Sequence, residues 1–196
     1  MRTVETVDPE GKIGSPVSIF EAHRLAIPHR AVSILLWNPA RTKMLITRRA
    51  STKATWPDFW SNAVCSHPFA GESYDAAARR RLAEELGINL NVRPAFELFY
   101  GPVRCPFSGL FEHEYDRVFE ASLLENVALD PRAEEISAVR WVDRRGLAAL
   151  KKSAELTPWF QMILDRLGWA RERTCILESE TAAEPASSTQ HFFRER

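Results

Sequence analysis

Cys65, His67 and Glu72 put a thiol, an imidazole and a carboxylate within a few residues of one another, in a loop that runs without a break into a helical segment from Ser73 to Leu86. A free cysteine is most often a small buried hydrophobe. This one lies close to His67 and ahead of a helix N-terminus, surroundings that can lower a thiol pKa from about 8.5. Cys65 is therefore a candidate proton carrier. No third residue at recognisable spacing would orient a Cys–His pair, so acyl transfer is not indicated.

The second stretch with chemical content is Glu112-His113-Glu114. Side chains alternate along a strand, so Glu112 and Glu114 share a face and could chelate one cation, while His113 points the other way and is a neighbour rather than a ligand. A solvated strand face is the plain alternative. His23, His29 and His67 precede three different predicted elements, and with the two carboxylates they would form a mixed nitrogen and oxygen site suited to zinc, manganese or iron rather than to magnesium alone. Arg48, Arg49 and Lys53, with Arg79, Arg80 and Arg81 on the helix, form a local basic cluster. Guanidinium grips phosphate through paired hydrogen bonds and lysine supplies a point charge, so a diphosphate suits them. For Arg79 and Arg80 an exposed helix position paired with Glu84 or Glu85 is an equally ordinary role. Glu85, beside the helix end, could meet magnesium carried in by a diphosphate. Trp56 and Trp60 flank the basic loop, and Trp159 could close over a pocket from the C-terminal side; an indole face over a developing carbocation is worth roughly 2 kcal/mol once water is excluded.

Several elements must position these groups. Ala31 to Trp37 reads as a buried strand stopped at Asn38-Pro39, and Lys43 to Arg49 pairs with it as a hairpin. Ser73 opens the helix, with Asp75 in its first turn, and Gly87 closes it. Further strands are predicted at Ala95 to Tyr100, Glu112 to Ala121 and Ile136 to Val142, and amphipathic helices at Asp143 to Lys151 and Pro158 to Trp169. This irregular mixture predicts an α+β fold, a mixed α/β sandwich with sheets flanked by helices. Residues 1–16 read as a loose leader with one short strand near Lys12-Ile13, 17–170 as one domain, and 171–196 as a flexible polar tail.

Composition narrows the function classes. The chain has 196 residues, 45% hydrophobic and 27% charged, which fits one domain with a sizeable core. Lysine plus arginine and aspartate plus glutamate both number 26, so no global field favours nucleic acid or an anionic membrane. The longest apolar run falls far short of the roughly 18 residues needed to span a bilayer. Three widely spaced cysteines, Cys65, Cys105 and Cys175, are neither a disulfide framework nor a zinc pair, and no signal or transit peptide is evident. The expectation is a cytoplasmic protein acting on a small molecule, for which a monomer is compatible.

Counting back from Gly87, the residues Glu72, Arg80, Glu84, Glu85, Gly87 and Ile88 fall on the spacing of a Nudix box, with two departures: Ser66 stands where a Nudix hydrolase has its first glycine, and Arg81 where it has a glutamate. The Cys-Ser-His-Pro run, Thr47-Arg48-Arg49-Ala50, Lys53, Trp56-Pro57, Trp60, Asn62, Gly71-Glu72, Glu85-Leu86-Gly87, Glu-x-Glu and Thr-Pro-Trp together resemble the type I isopentenyl-diphosphate isomerases, a non-hydrolytic branch of the Nudix superfamily, over about residues 17–170. The resemblance implies a Nudix-like fold, with Cys65 and Glu114 as the catalytic pair. It also implies that His23, His29, His67, Glu112 and Glu114 hold a tightly bound divalent metal (manganese, zinc or magnesium), and that Glu85 holds magnesium entering with the diphosphate. Arg49, Lys53 and Arg81 would bind phosphate oxygens, and Trp159 would contact substrate. Tyr100 is the nearest candidate for a tyrosine that the family carries ahead of Glu-x-Glu. No flavin or nucleotide cofactor is implied. The reaction would transpose a carbon–carbon double bond between isopentenyl and dimethylallyl diphosphate, feeding isoprenoid synthesis. A Nudix hydrolase of a nucleoside diphosphate derivative, with metals at Glu84 and Glu85 activating water, is the rival. Arg81 counts against it.

Overall fold

Strand β3 (His29–Trp37) is buried at every position and is the hub of the molecule, here a computed structural model describing residues 2–169. Its side chains alternate between two cores. Val32, Ile34 and Leu36 pack with Ala77, Ala78, Leu82 and Leu86, whereas Leu35 and Trp37 pack with Leu147, Phe160, Ile163 and Leu164. A strand covered on both faces has no polar alternation to show, which is why its sequence reads as a continuous apolar run. Burying each such leucine contributes roughly 2 kcal/mol.

Among the described residues nine strands join around this hub. β1 (Thr3–Val7), β4 (Lys43–Arg49) and β6 (Val64–Ser66) pair antiparallel with β3, while β8 (Phe111–Ser122) pairs parallel with it over its whole length, from His29↔Glu114 to Trp37↔Ser122. β2 (Ile13–Ser18) pairs with β1, β5 (Trp60–Asn62) and β9 (Ile136–Asp143) with β4, and β7 (Arg93–Arg104) with β8. Helix α2 (Tyr74–Leu86) covers one face; α3 (Arg144–Lys152) and α4 (Pro158–Arg166) cover the other. This is the expected α+β arrangement.

Two expectations are corrected. Residues 1–16 are not a loose leader: Val4 and Val7 are buried, and Thr6 pairs with His29, so β1 belongs to the sheet. A short helix, α1 (Ile19–Leu25), carries His23; two turns are too short to show helical periodicity, and its left-handed stop falls on Ala26 (φ 55°) rather than on a signalling glycine. α4 also ends earlier than predicted, at Arg166. The tail at 171–196, with Cys175, lies outside the described residues.

The central helix follows its caps. Ser73 Oγ accepts a hydrogen bond from the Ala76 amide at 3.2 Å, and Gly87 ends the helix at φ 68° with its own amide bonded to the Ala83 carbonyl. A β-carbon on Gly87 would come within 2.8 Å of Asp130 Cβ, so the position requires glycine on two counts.

Candidate functional site

The hub strand lies between the two strands that matter for chemistry. Cys65 on β6 is paired with Ser33 of β3, and Glu114 on β8 is paired with His29 of the same strand. Both side chains reach one cavity of about 270 Å³, lined also by Arg2, His23, Arg49, Lys53, His67, Arg81, Tyr100, Glu112 and Trp159. His29 is fully buried and Glu85 nearly so; neither lines the cavity itself.

Three imidazoles converge from three elements. The ring centroids of His23, His29 and His67 are 4.9 to 5.3 Å apart. His29 Nδ1 lies 2.8 Å from the Ile27 carbonyl and so donates to it, which leaves Nε2 as the lone-pair nitrogen; that atom is buried and has no hydrogen-bond partner. Likewise His23 Nδ1 lies 2.7 Å from the Phe111 carbonyl. Burial, reinforced by the neighbouring imidazoles, lowers the pKa of His29 and of His67 well below the usual histidine range, so both are held neutral, the ligating form. Glu112 and Glu114 complete the set, as the strand alternation predicted. His67 Nε2 is 2.8 Å from Glu114 Oε1, and potential donor atoms of His67, Glu112 and Glu114 all fall within 4.8 Å of one another, as do those of His23, His29 and His67. Burial and the adjacent Glu114 carboxylate raise the pKa of Glu112. A buried orphan nitrogen on the neutral, carbonyl-backed His29, two further imidazoles close to it and two crowded carboxylates fit a divalent cation. His113 faces away and bonds the Ala26 carbonyl at 2.8 Å.

Cys65 sits in a polar cage that its own sequence neighbourhood only half discloses. The thiol donates a hydrogen bond to Asn62 Oδ1 at 3.1 Å and lies 3.1 Å from Ser61 Oγ, while the Trp159 indole N–H donates to the sulfur at 2.9 Å. The Thr157 hydroxyl makes no cap for α4; it meets Ser61 Oγ at 2.9 Å and so ties that helix to the cysteine. The expected lowering of the thiol pKa does not occur. Burial pushes Cys65 up to about 12, outweighing Arg49 and the two hydrogen-bonding neighbours Ser61 and Trp159, so the thiol keeps its proton.

The basic residues divide. Arg48 is exposed and pairs with Asp58, and Arg79 is exposed on α2. Arg80 pairs with Glu72 at 2.7 Å and with Glu84 at 3.1 Å. Arg49 reaches the cavity wall, with Nε and Nη2 held by the Thr55 and Trp56 carbonyls. Lys53 Nζ meets Glu135 Oε2 at 2.6 Å. Arg81 also lines the cavity, yet three carboxylates engage it: Glu84 at 2.6 Å, Glu85 at 2.7 Å and Glu135 at 2.9 Å. Burial would raise the Glu135 carboxyl, but Lys53 and Arg81 prevail and hold it down at about 2. Burial likewise raises Glu85, against the pull of Arg81.

Sequence reasoning passed over Arg2, Ser61, Asp116, Glu135 and Thr157. Asp116 had a signal: it continues the alternation of Glu112 and Glu114, is fully buried, and accepts a hydrogen bond from Ser33 Oγ at 2.7 Å. Ser61 is only four residues from Cys65, whereas Arg2, Glu135 and Thr157 are brought in by pairings that no local spacing announces. Tyr100 faces Glu114 across β7 and β8, and its hydroxyl donates to Glu114 Oε2.

The NUDIX domain profile matches residues 27–161. The isopentenyl-diphosphate Delta-isomerase of Nocardia farcinica is 37% identical over 83% of this chain and 92% of its own length, and that of Dinoroseobacter shibae is 38% identical over 76% and 84%. Among solved structures, DR0079 of Deinococcus radiodurans superposes with a TM-score of 0.69 at 21% identity, covering 84% of this chain and 98% of its own. The MutT protein of Methanosarcina mazei superposes with a TM-score of 0.59 at 17% identity, covering 72% and 93%. Those two structures share the fold. With the NUDIX match over most of the chain and relatives at this level of identity, the chain belongs to the isopentenyl-diphosphate Delta-isomerase family within the Nudix superfamily.

Proposed function

We propose that the chain interconverts isopentenyl diphosphate and dimethylallyl diphosphate, an intramolecular transposition of a carbon–carbon double bond. The observation that carries this reading is the placement of a protonated thiol, Cys65, and a hydrogen-bonded carboxyl group, Glu114, on one small cavity that also bears Arg49, Lys53 and Arg81.

Isomerisation adds a proton to the terminal alkene carbon and removes another from the carbon next to the one that carries the diphosphate oxygen. The alkene is a very weak base, so its protonation creates tertiary carbocation character and requires a well-aimed acid with water excluded. Cys65 and Glu114, set on strands that flank β3, exchange the two protons. Tyr100 and His67 orient the Glu114 carboxyl, and Asn62, Ser61 and Trp159 orient the thiol. The Trp159 indole, buried in the cavity wall with its N–H on the Cys65 sulfur, would contact the substrate's hydrocarbon end.

His23, His29, His67, Glu112 and Glu114 would hold a resident divalent metal: manganese, zinc or magnesium. A cation held there would make a proton on the Glu114 carboxyl more acidic. Glu85, an oxygen donor on α2, suits magnesium arriving with the diphosphate. The reading needs no flavin or nucleotide, and it implies a cytoplasmic enzyme whose partner is a small diphosphate. No helix among the described residues is long and apolar enough to cross a membrane.

Arg81 speaks against hydrolysis. It stands where a Nudix hydrolase has a carboxylate, and its guanidinium engages both Glu84 and Glu85. Incubating purified protein with isopentenyl diphosphate, and separately with a panel of nucleoside diphosphate derivatives, tests the reading. Allylic isomer without phosphate release is expected; phosphate release from a nucleotide with no allylic product would overturn it.

A further inference from the structure

Arg2 reaches the cavity from outside the stretch that the NUDIX profile covers, which begins at residue 27. Its backbone is docked: the Ile19 amide donates to the Arg2 carbonyl at 3.2 Å, and the Ala70 amide donates to the Thr3 carbonyl at 3.1 Å. Strand β1 thereby carries the side chain over the Cys-Ser-His loop. There Nη2 donates to Ser66 Oγ at 3.2 Å and to the His67 carbonyl at 3.0 Å. Ser66 is one of the two positions that depart from the hydrolase box, so the altered residue is the one that receives Arg2.

Among the described residues no carboxylate pairs with Arg2, whereas Arg30, Arg80 and Arg81 all have carboxylate partners. Its Nε is buried and has no hydrogen-bond partner. The guanidinium stacks at 5.2 Å on the Phe69 ring that also holds Arg80. A guanidinium on the cavity wall that shares a ring with Arg80 and has no carboxylate partner among the described residues is stabilised by an anion that enters.

We propose that Arg2 is a further diphosphate-binding residue, completing with Arg49, Lys53 and Arg81 the cationic end of the cavity. The inference rests on the reading given above, in that it takes the substrate to be a diphosphate. The N-terminal strand then does more than close the sheet: it delivers a binding group.

The test is calorimetric titration of the full-length, metal-containing protein with inorganic pyrophosphate in the presence of magnesium, alongside turnover of isopentenyl diphosphate, for wild type, Arg2→Ala, Arg2→Gln and Arg2→Lys. Loss of a charge-assisted contact is expected to weaken pyrophosphate binding and raise KM by about ten-fold in Arg2→Ala and Arg2→Gln, with partial rescue in Arg2→Lys. In the same variants kcat should stay within about two-fold of wild type, because the contact is made equally before and during the chemical step. Unchanged pyrophosphate affinity in a folded Arg2→Ala protein overturns the proposal. So does a fall in kcat or in metal content with pyrophosphate affinity unchanged, which would mean that Arg2 only props the His67 loop. If Arg2→Ala does not fold, Gln and Lys carry the comparison, and equal affinity in those two overturns it. Failure of the wild type to isomerise would sink the functional reading instead, and the pyrophosphate titration would still decide Arg2.

Discussion

Tyr100 and Glu114 form one cross-strand pair between β7 and β8, with the phenol hydroxyl donating to Oε2 of the carboxylate whose other oxygen lies 2.8 Å from His67. Burial, and then the Glu114 charge, raises the pKa of Tyr100 well above its ordinary range, so the phenol remains a donor. The pair continues the register that runs from Phe96↔Val118, and β7 breaks register immediately after it: Tyr100 faces Glu114, yet Val103 already faces Glu112. Gly101 makes the break possible. It sits at φ 104°, and a β-carbon there would come within 2.4 Å of the Glu112 carbonyl oxygen.

Replacing Tyr100 with Phe removes that donor while keeping the ring. Turnover is expected to fall about 10–100-fold, as for other groups that orient a ligand. Metal content should be retained. Steady-state kinetics with elemental analysis decides it, and turnover equal to wild type would reduce Tyr100 to packing.

Cys65→Ala and Cys65→Ser should each lower isomerisation by about 10²–10⁴-fold, the usual worth of a positioned proton carrier. Neither should change the fold or the metal content, since Cys65 holds neither together. Residual turnover near the wild-type rate would remove the thiol from the chemistry.

The two metal roles are separable. His67→Ala should strip the metal that survives dialysis without substrate, because it takes one donor from both converging groups. Glu85→Gln should leave that metal in place and lower activity only in the substrate-bound state, where magnesium is shared with phosphate oxygens. Elemental analysis of both dialysed variants provides the comparison; equal metal loss would mean that there is a single site.

Glu135 gives a pH signature. Its carboxyl is held at about 2 by Lys53 and Arg81, below the ordinary value of 4.5. A group depressed in the folded state adds stability that is fully present above the unfolded pKa and is lost as pH falls through the folded one. Glu135→Gln should therefore cost about 1–3 kcal/mol near neutral pH, with the side chain partly exposed and the effect trimmed accordingly. The difference from wild type should hold constant down to about pH 5 and shrink below it. Urea unfolding at several pH values measures this. A difference that closes above pH 5, or that is unchanged at pH 3, would contradict the assignment.

Much of the site was legible in the chain because it is governed by local rules. The caps at Ser73 and Gly87 bound α2, alternation put Glu112 and Glu114 on one face and His113 on the other, and an unbroken apolar run marked the doubly covered β3. These follow from periodicity and backbone preference over a few residues. Residue types alone also assembled the list of candidate ligands, since imidazole, carboxylate, thiol and guanidinium each have narrow chemistry.

Tertiary structure decided what depends on distant partners. Trp159 reaches Cys65 across a separation of 94 residues, and Arg2 reaches the His67 carbonyl across 65. No local spacing encodes such contacts; they arise when α4 and β1 dock on the sheet. The thiol shows the difference most sharply. Its neighbours in sequence suggested a lowered pKa, but desolvation by elements far along the chain outweighs them and keeps the proton on sulfur. The chain determined which groups were available, and folding set their protonation, their orientation and their company, because those depend on burial and on charges that only the packed molecule brings together.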